Sequence, residues 1–162
     1  MNQQQKVLHK LHQLNISYEI VRHPAAFTIE EMDALTLDNK GDVVKNLFLR
    51  DDKGKNHYLV VVEKNKTVDL KKLRDQLGST RLGFASEERL EKYLQLSKGS
   101  VTPFGVINDE ACAVNVVFDK DLVHVKKIGV HPNDNTATVF ISLDDLTRVV
   151  ECNGNRIIYA EI

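Results

Sequence analysis

Val43-Val44-Lys45-Asn46-Leu47-Phe48-Leu49-Arg50, then Asp51-Asp52-Lys53-Gly54-Lys55, then Tyr58-Leu59-Val60-Val61-Val62 is the stretch whose reading decides the fold. Two apolar, β-branched runs separated by a short polar segment with a glycine predict a β-hairpin. Lys45 interrupts the first run. A strand interior rarely tolerates an ammonium without a partner, so Lys45 reads as a residue kept for chemistry.

Outward from the hairpin, the punctuation separates short strands from medium helices. Val7, Leu8, Leu11 and Leu14 repeat at helical spacing and predict an amphipathic helix over 3–14, followed by a strand Tyr18-Glu19-Ile20-Val21 that stops at His23-Pro24. Thr28-x-x-Glu31 has the form of a capping box and predicts a helix over 29–37, with Met32 and Leu35 on one face. Helices are expected at 69–77, stopped by Gly78, and at 87–94, capped by Ser86. Strands are expected over 113–118, 122–125 and 138–141. Ser142 caps a helix to Val150, and 156–160 closes as a strand. This order predicts an α+β class: a mixed, mostly antiparallel curved sheet surrounded by helices, in a single domain over 1–162.

Composition narrows the function classes. With 162 residues, 42% hydrophobic and 28% charged, the chain has the make-up of a globular protein with one core. No run approaches the roughly 20 apolar residues of a membrane span, and the polar start Met1-Asn2-Gln3-Gln4-Gln5 lacks the apolar run of a signal peptide, so a cytoplasmic location is expected. A net charge of −1 argues against a general polyanion binder. Lys64, Lys66, Lys71, Lys72 and Arg74 make either a local basic patch or a solvated helix face. Cys112 and Cys152 lie in apolar, strand-like surroundings without a C-x-x-C partner and are read as buried reduced thiols.

A second motif supplies chemistry. Gly99-Ser100-Val101-Thr102-Pro103-Phe104-Gly105 is a small-residue loop of the G-x-x-x-P type, in which backbone amides can approach a ligand closely. No serine lies in a G-x-S-x-G elbow, so the loop and Lys45 together suggest an anion or ester site without a side-chain nucleophile. His9 and His12 stand three apart on a helix but have no third ligand, and neither a metal nor an organic cofactor is expected. His23 and His131 each precede a proline at a strand end, where side chains converge on pockets or serve structure. His57 and His124 read as ordinary strand or hairpin residues.

His23-Pro24, Val44-Lys45-Asn46-Leu47, the Gly99–Pro103 loop and Gly129-Val130-His131-Pro132, in this order, resemble the YbaK/prolyl-tRNA-synthetase-associated editing domain family, especially its free-standing members. The resemblance implies an essential lysine at Lys45, a loop that holds the scissile ester through Gly99, and a histidine at His131 that restricts amino-acid size. It extends to a substrate pocket with Asn46, Ser100, Val101, Thr102, Pro103 and Phe104, and with Met32 and Leu35 as further walls. The implied substrate is the acceptor end of mischarged tRNA(Pro), with prolyl-tRNA synthetase as a second expected partner and no membrane or DNA. A deacylase for Ala-tRNA(Pro) is the expected activity. A Cys-tRNA(Pro) deacylase and a noncatalytic tRNA-binding or synthetase-associated module are the alternatives.

Overall fold

The computed structural model describes residues 1–25 and 41–162. Helix α1, Gln3–Gln13, begins at a capping box: the Asn2 side chain accepts from the N–H of Gln5 at 2.8 Å, and the Gln5 side chain accepts from the N–H of Asn2 at 3.0 Å. Its apolar spacing buries Val7 and Leu11 completely. Strand β1, Glu19–Arg22, follows. The hairpin is β2, Asp42–Arg50, and β3, His57–Glu63, antiparallel with Leu47 opposite Val60. Asp51 closes its turn, accepting from the Lys55 N–H and the Asn56 amide, each at 2.8 Å.

Helix α2, Leu70–Leu77, is capped by Asp69 and ended by Gly78 at φ 63°, a left-handed conformation that glycine adopts without Cβ strain. A two-residue strand β4, Gly83–Phe84, precedes α3, Glu87–Leu94, which Ser86 caps. After a 3-10 helix over Pro103–Asn108 come β5, Val114–Asp119, and a second 3-10 helix, Lys120–His124. The chain continues through β6, Ile128–Val130, β7, Ala137–Ile141, α4, Leu143–Asn153, and β8, Ile157–Ala160.

The strands form one eight-stranded sheet in the order β1-β7-β6-β2-β3-β5-β8, with β4 added beside β2. Four of the seven pairings are antiparallel (β1 with β7, β2 with β3, β2 with β4, β6 with β7) and three are parallel (β2 with β6, β3 with β5, β5 with β8), so the α+β class and mixed sheet hold. Strand β3 is buried along nearly its whole length because both faces are covered. One face carries Val44, Val61, Val116 and Val139 against Val7 and Leu11 of α1 and Leu146 and Val150 of α4. The other carries Leu49, Val60 and Val117 against Leu73 of α2.

Several expectations are corrected. Residues 122–125 are not a strand: the Asp119 carboxylate accepts from the Asp121 N–H and starts a 3-10 turn in which Leu122 alone is buried. Neither cysteine has the expected surroundings. Cys152 is exposed on the last turns of α4, and Cys112, half-buried in a turn at φ 53°, is held by the Asn153 carbonyl at 3.0 Å; both are free thiols. His124 lies in the 3-10 helix rather than a strand. The helix expected over 29–37 lies outside the described residues.

Candidate active site

Strand alternation separates the two neighbours at the centre of β2. Lys45 lies opposite Val62 and Asn46 opposite Val61, in regular register, so their side chains leave opposite faces. Asn46 shares its face with Val44 and Phe48, the side on which Val101 of the Gly99–Pro103 loop and Phe104 just after it pack. Its Oδ1 is buried with no hydrogen-bond partner among the described residues, a costly state for a carbonyl oxygen and one that a donor from a ligand relieves. Lys45 shares its face with Leu47 and Leu49, and its ammonium donates to the backbone carbonyl of Lys66.

Lys66 is itself anchored. Its ammonium lies 2.9 Å from Asp119 and 2.5 Å from Asp121, and donates to the carbonyl of Ile162 at 2.9 Å. Burial works against that charge, but the hydrogen bonds to Asp121 and Asp119 prevail and hold the Lys66 pKa above its ordinary value. Lys66 is therefore a strut under Lys45 rather than part of a free basic patch.

The sheet opens beside Lys45. Strands β2 and β6 run parallel and pair only at Asp42–Ile128 and Val43–Gly129. Two residues beyond Val43 is Lys45; two beyond Gly129 is His131. Both thus follow the last paired position, where parallel strands part and ligands are commonly received. Gly129 is required here, because a Cβ on it falls 2.7 Å from the Phe140 ring and 3.1 Å from the Thr138 methyl.

His131 is fixed from both ends. Its ring Nδ1 donates to the Ala137 carbonyl at 2.9 Å, which makes Nδ1 the protonated nitrogen and leaves Nε2 an acceptor. Its own carbonyl accepts from the Thr102 hydroxyl at 2.6 Å. Burial, followed by the nearby His23 ring, lowers the His131 pKa against the opposing hydrogen bond to Ala137, so the imidazole is neutral at physiological pH. His23 stands beside it with ring centroids 6.1 Å apart, donating from Nδ1 to the Pro24 carbonyl and accepting at Nε2 from the Thr138 hydroxyl, each at 2.8 Å.

The loop is shaped for close approach. Gly99 has φ 89°, in the left-handed region that side chains resist, and Ser100 turns back through its N–H to the Ser97 carbonyl at 3.1 Å. Thr102 caps the following 3-10 helix, whose first residue is Pro103, while its hydroxyl ties the loop to His131. Val101 is half-buried; Phe104 is fully buried in the core and supports the loop from beneath. Met32 and Leu35 lie outside the described residues. The structure thus joins the loop to His131 through Thr102, puts His131 level with Lys45, and sends Asn46 to the opposite face. Sequence reasoning missed the Lys66 strut and the tethering role of Thr102, although a threonine immediately before proline is itself a helix-start signal.

An ammonium, a backbone loop and a neutral imidazole at a parting of parallel strands suit an anionic or ester ligand. The family model for the aminoacyl-tRNA editing domain matches residues 23–149. The prolyl-tRNA editing protein ProX of Acetoanaerobium sticklandii is 54% identical over 155 residues, covering 96% of this chain and 94% of that one. Prolyl-tRNA synthetase associated domain-containing protein 1 of Mus musculus is 37% identical over 150 residues, with 90% and 88% covered. A solved structure described as a candidate trans-editing enzyme for prolyl-tRNA synthetase superposes with a TM-score of 0.76 at 21% identity, over 100% of this chain and 98% of that one, and shows the shared fold. The chain belongs to the aminoacyl-tRNA editing domain family. Within it, the chain is an aminoacyl-tRNA editing deacylase, and the relative at 54% identity is one named for prolyl-tRNA editing.

Proposed function

We propose that the chain removes alanine mischarged onto tRNA(Pro) by hydrolysing the aminoacyl ester in trans, with the substrate's own 2′-hydroxyl assisting. A synthetase pocket shaped for proline discriminates poorly against a smaller residue, since each missing methylene is worth only about 1–3 kcal/mol, and a second, smaller site corrects the error. Support for the substrate comes from the likeness to ProX, named for prolyl-tRNA editing.

The observation that carries the mechanism is how the polar groups around the loop are engaged. The Thr102 hydroxyl donates to a carbonyl, both ring nitrogens of His23 are bonded, and His131 Nδ1 is held by Ala137. None of these forms a nucleophile–base pair. Water then attacks the ester carbon, its proton passing by way of the neighbouring 2′-hydroxyl, and the 3′-oxygen leaves protonated to give free alanine and deacylated tRNA. Lys45 binds a terminal phosphate or the developing oxyanion, and the Gly99 backbone fixes the ester. His131, Val101 and the remaining pocket residues limit the size of the amino acid. The Nε2 of His131, which bonds no described residue, favours one competing reading, in which that nitrogen is the general base.

Deacylation of alanyl-, cysteinyl- and prolyl-tRNA(Pro) compared under one set of conditions tests the assignment. Preferential release of alanine is expected. Preference for cysteine transfers the activity to that substrate, and binding of all three without turnover leaves only a tRNA-binding module.

A further inference from the structure

A second concave surface lies on the Lys45 side of the sheet. A groove of about 310 Å³ runs between α2 and the segment entering β4, lined by Leu70, Lys71, Arg74, Arg81 and Leu82. Its floor is apolar: Leu82 is 6% exposed and, with Leu70, belongs to the cluster built on Leu49, Val60 and Leu73. Its rim is cationic. Lys71 and Arg81 are exposed and make no ion pair among the described residues.

The nearby anions do not neutralise this rim. The Asp69 carboxylate is turned into its own helix, accepting from the N–H groups of Lys71 at 3.0 Å and Lys72 at 3.2 Å. Asp75 meets Arg74 at 3.2 Å in an exposed pair, the kind that is readily exchanged for a stronger anion. Since the whole chain carries a net charge of −1, this is a local concentration of positive charge and not the sign of a basic protein.

Position decides what the groove receives. Leu47 and Leu49, against which α2 packs, alternate with Lys45 on one face of β2. Helix α2 starts at Leu70, four residues after Lys66, whose carbonyl holds the Lys45 ammonium. Even fully extended, four residues span only about 14 Å. A polyanion whose reacting end lies at Lys45 therefore passes within reach of this rim.

We propose that the groove of Lys71, Arg74 and Arg81 binds backbone phosphates of the tRNA acceptor strand whose terminal ester is presented at Lys45. The proposal rests on the tRNA substrate given above. Arginine forks pair with phosphate oxygens in two parallel hydrogen bonds, Lys71 adds a compact charge, and the leucine floor receives the less polar ribose edges. Contacts of this kind supply affinity and a salt dependence without reading sequence.

The test is the triple variant Lys71→Gln, Arg74→Gln, Arg81→Gln in the full chain, with its fold checked by circular dichroism and thermal midpoint. Binding of uncharged tRNA(Pro) is measured by fluorescence anisotropy across a salt series. Three lost single-strand phosphate contacts make the slope of log K against log salt shallower by about 2. The ratio of kcat/KM on alanyl-tRNA(Pro) to that on 3′-O-alanyl-adenosine, which carries no phosphate, falls about tenfold or more. An unchanged slope and ratio overturn the proposal, and that is the outcome if the groove serves an acidic protein surface instead. Should the triple variant lose stability, Arg81→Glu at an exposed position gives the same reading with one charge reversed. If wild-type protein hydrolyses neither ester, the editing assignment fails on its own, while the anisotropy slope still decides the groove.

Discussion

The ammonium of Lys45 donates a hydrogen bond to the backbone carbonyl of Lys66, whose own ammonium is clamped between Asp119 and Asp121. A half-buried strand lysine thereby gains one fixed acceptor, and no carboxylate among the described residues pairs with it. Its charge stays available to a phosphate or an oxyanion, and its position is set by a turn that an ion cluster holds in place.

Replacing Lys45 with alanine is expected to lower kcat/KM on alanyl-tRNA(Pro) about 100-fold, equivalent to about 2.7 kcal/mol of transition-state support. Thermal stability should change little, because Lys45 is only half-buried and, among the described residues, its head group bonds to one backbone carbonyl. Wild-type turnover in a folded Lys45→Ala protein would remove the lysine from the mechanism.

Gly99→Val places a β-branched side chain at φ 89° and on the surface where the ester backbone is to approach. Strain of about 1–3 kcal/mol is expected, together with a loss of turnover larger than that loss of stability predicts. Steady-state kinetics and chemical denaturation of the same preparation separate the two. Full activity with lowered stability would leave Gly99 a purely structural glycine.

Buried His57 and half-buried His131 set an acid limit on stability. At His57, burial and then the Arg89 charge lower the pKa below 6.5, with Asp51 opposing; the Arg89 guanidinium donates to Nε2 at 3.2 Å, so that nitrogen must be unprotonated. At His131, burial leads and His23 adds to it, again below 6.5. Both take up protons more readily when unfolded, so their contribution is complete above about pH 6.5 and falls as pH drops from there toward the folded-state values. Asp51, held below its ordinary 3.8 because hydrogen bonds from Asn56, Lys55 and Gly54 outweigh burial, contributes nothing to that window. The thermal midpoint should therefore decline between about pH 7 and about pH 5, and His57→Gln should flatten the decline. An identical profile in the variant would show that other groups govern it.

His131→Ala is expected to relax amino-acid selectivity, admitting residues larger than alanine, while hydrolysis of alanyl-tRNA(Pro) continues. The change removes a ring that Ala137 fixes in place but leaves the His131 carbonyl that holds Thr102 and the loop. Deacylation assays with alanyl- and prolyl-tRNA(Pro) give the measure. Loss of all turnover with no gain on the larger substrate would transfer a catalytic role to the imidazole.

How far the sequence is legible follows from the range of the forces involved. The hairpin of β2 and β3, the caps at Ser86 and Ser142, and the glycine stop at Gly78 are local signals, read within a few residues, and they appear where expected. Strand β6 escaped notice because Ile128-Gly129-Val130 is too short for periodicity and pairs with partners on both sides, one of them more than 80 positions away. Residues 122–125 misled because an apolar Leu122-Val123 pair reads as strand, yet the Asp119 cap fixed a tight turn first. For the site, residue types at Lys45, Gly99 and His131 were visible. What was hidden is tertiary: the Thr102 tether across to His131, the carbonyl of Lys66 under Lys45, and the parting of β2 from β6 that places Lys45 and His131 level.

The most direct measurement of the mechanism is hydrolysis of 3′-alanyl-tRNA(Pro) in which the terminal 2′-hydroxyl is replaced by hydrogen. If that hydroxyl does the work for which the engaged groups around the loop are not free, turnover of the 2′-deoxy ester should nearly vanish while binding, governed by other contacts, remains measurable. Rapid hydrolysis of the 2′-deoxy ester, abolished in turn by His131→Ala, would contradict the account and make His131 the general base.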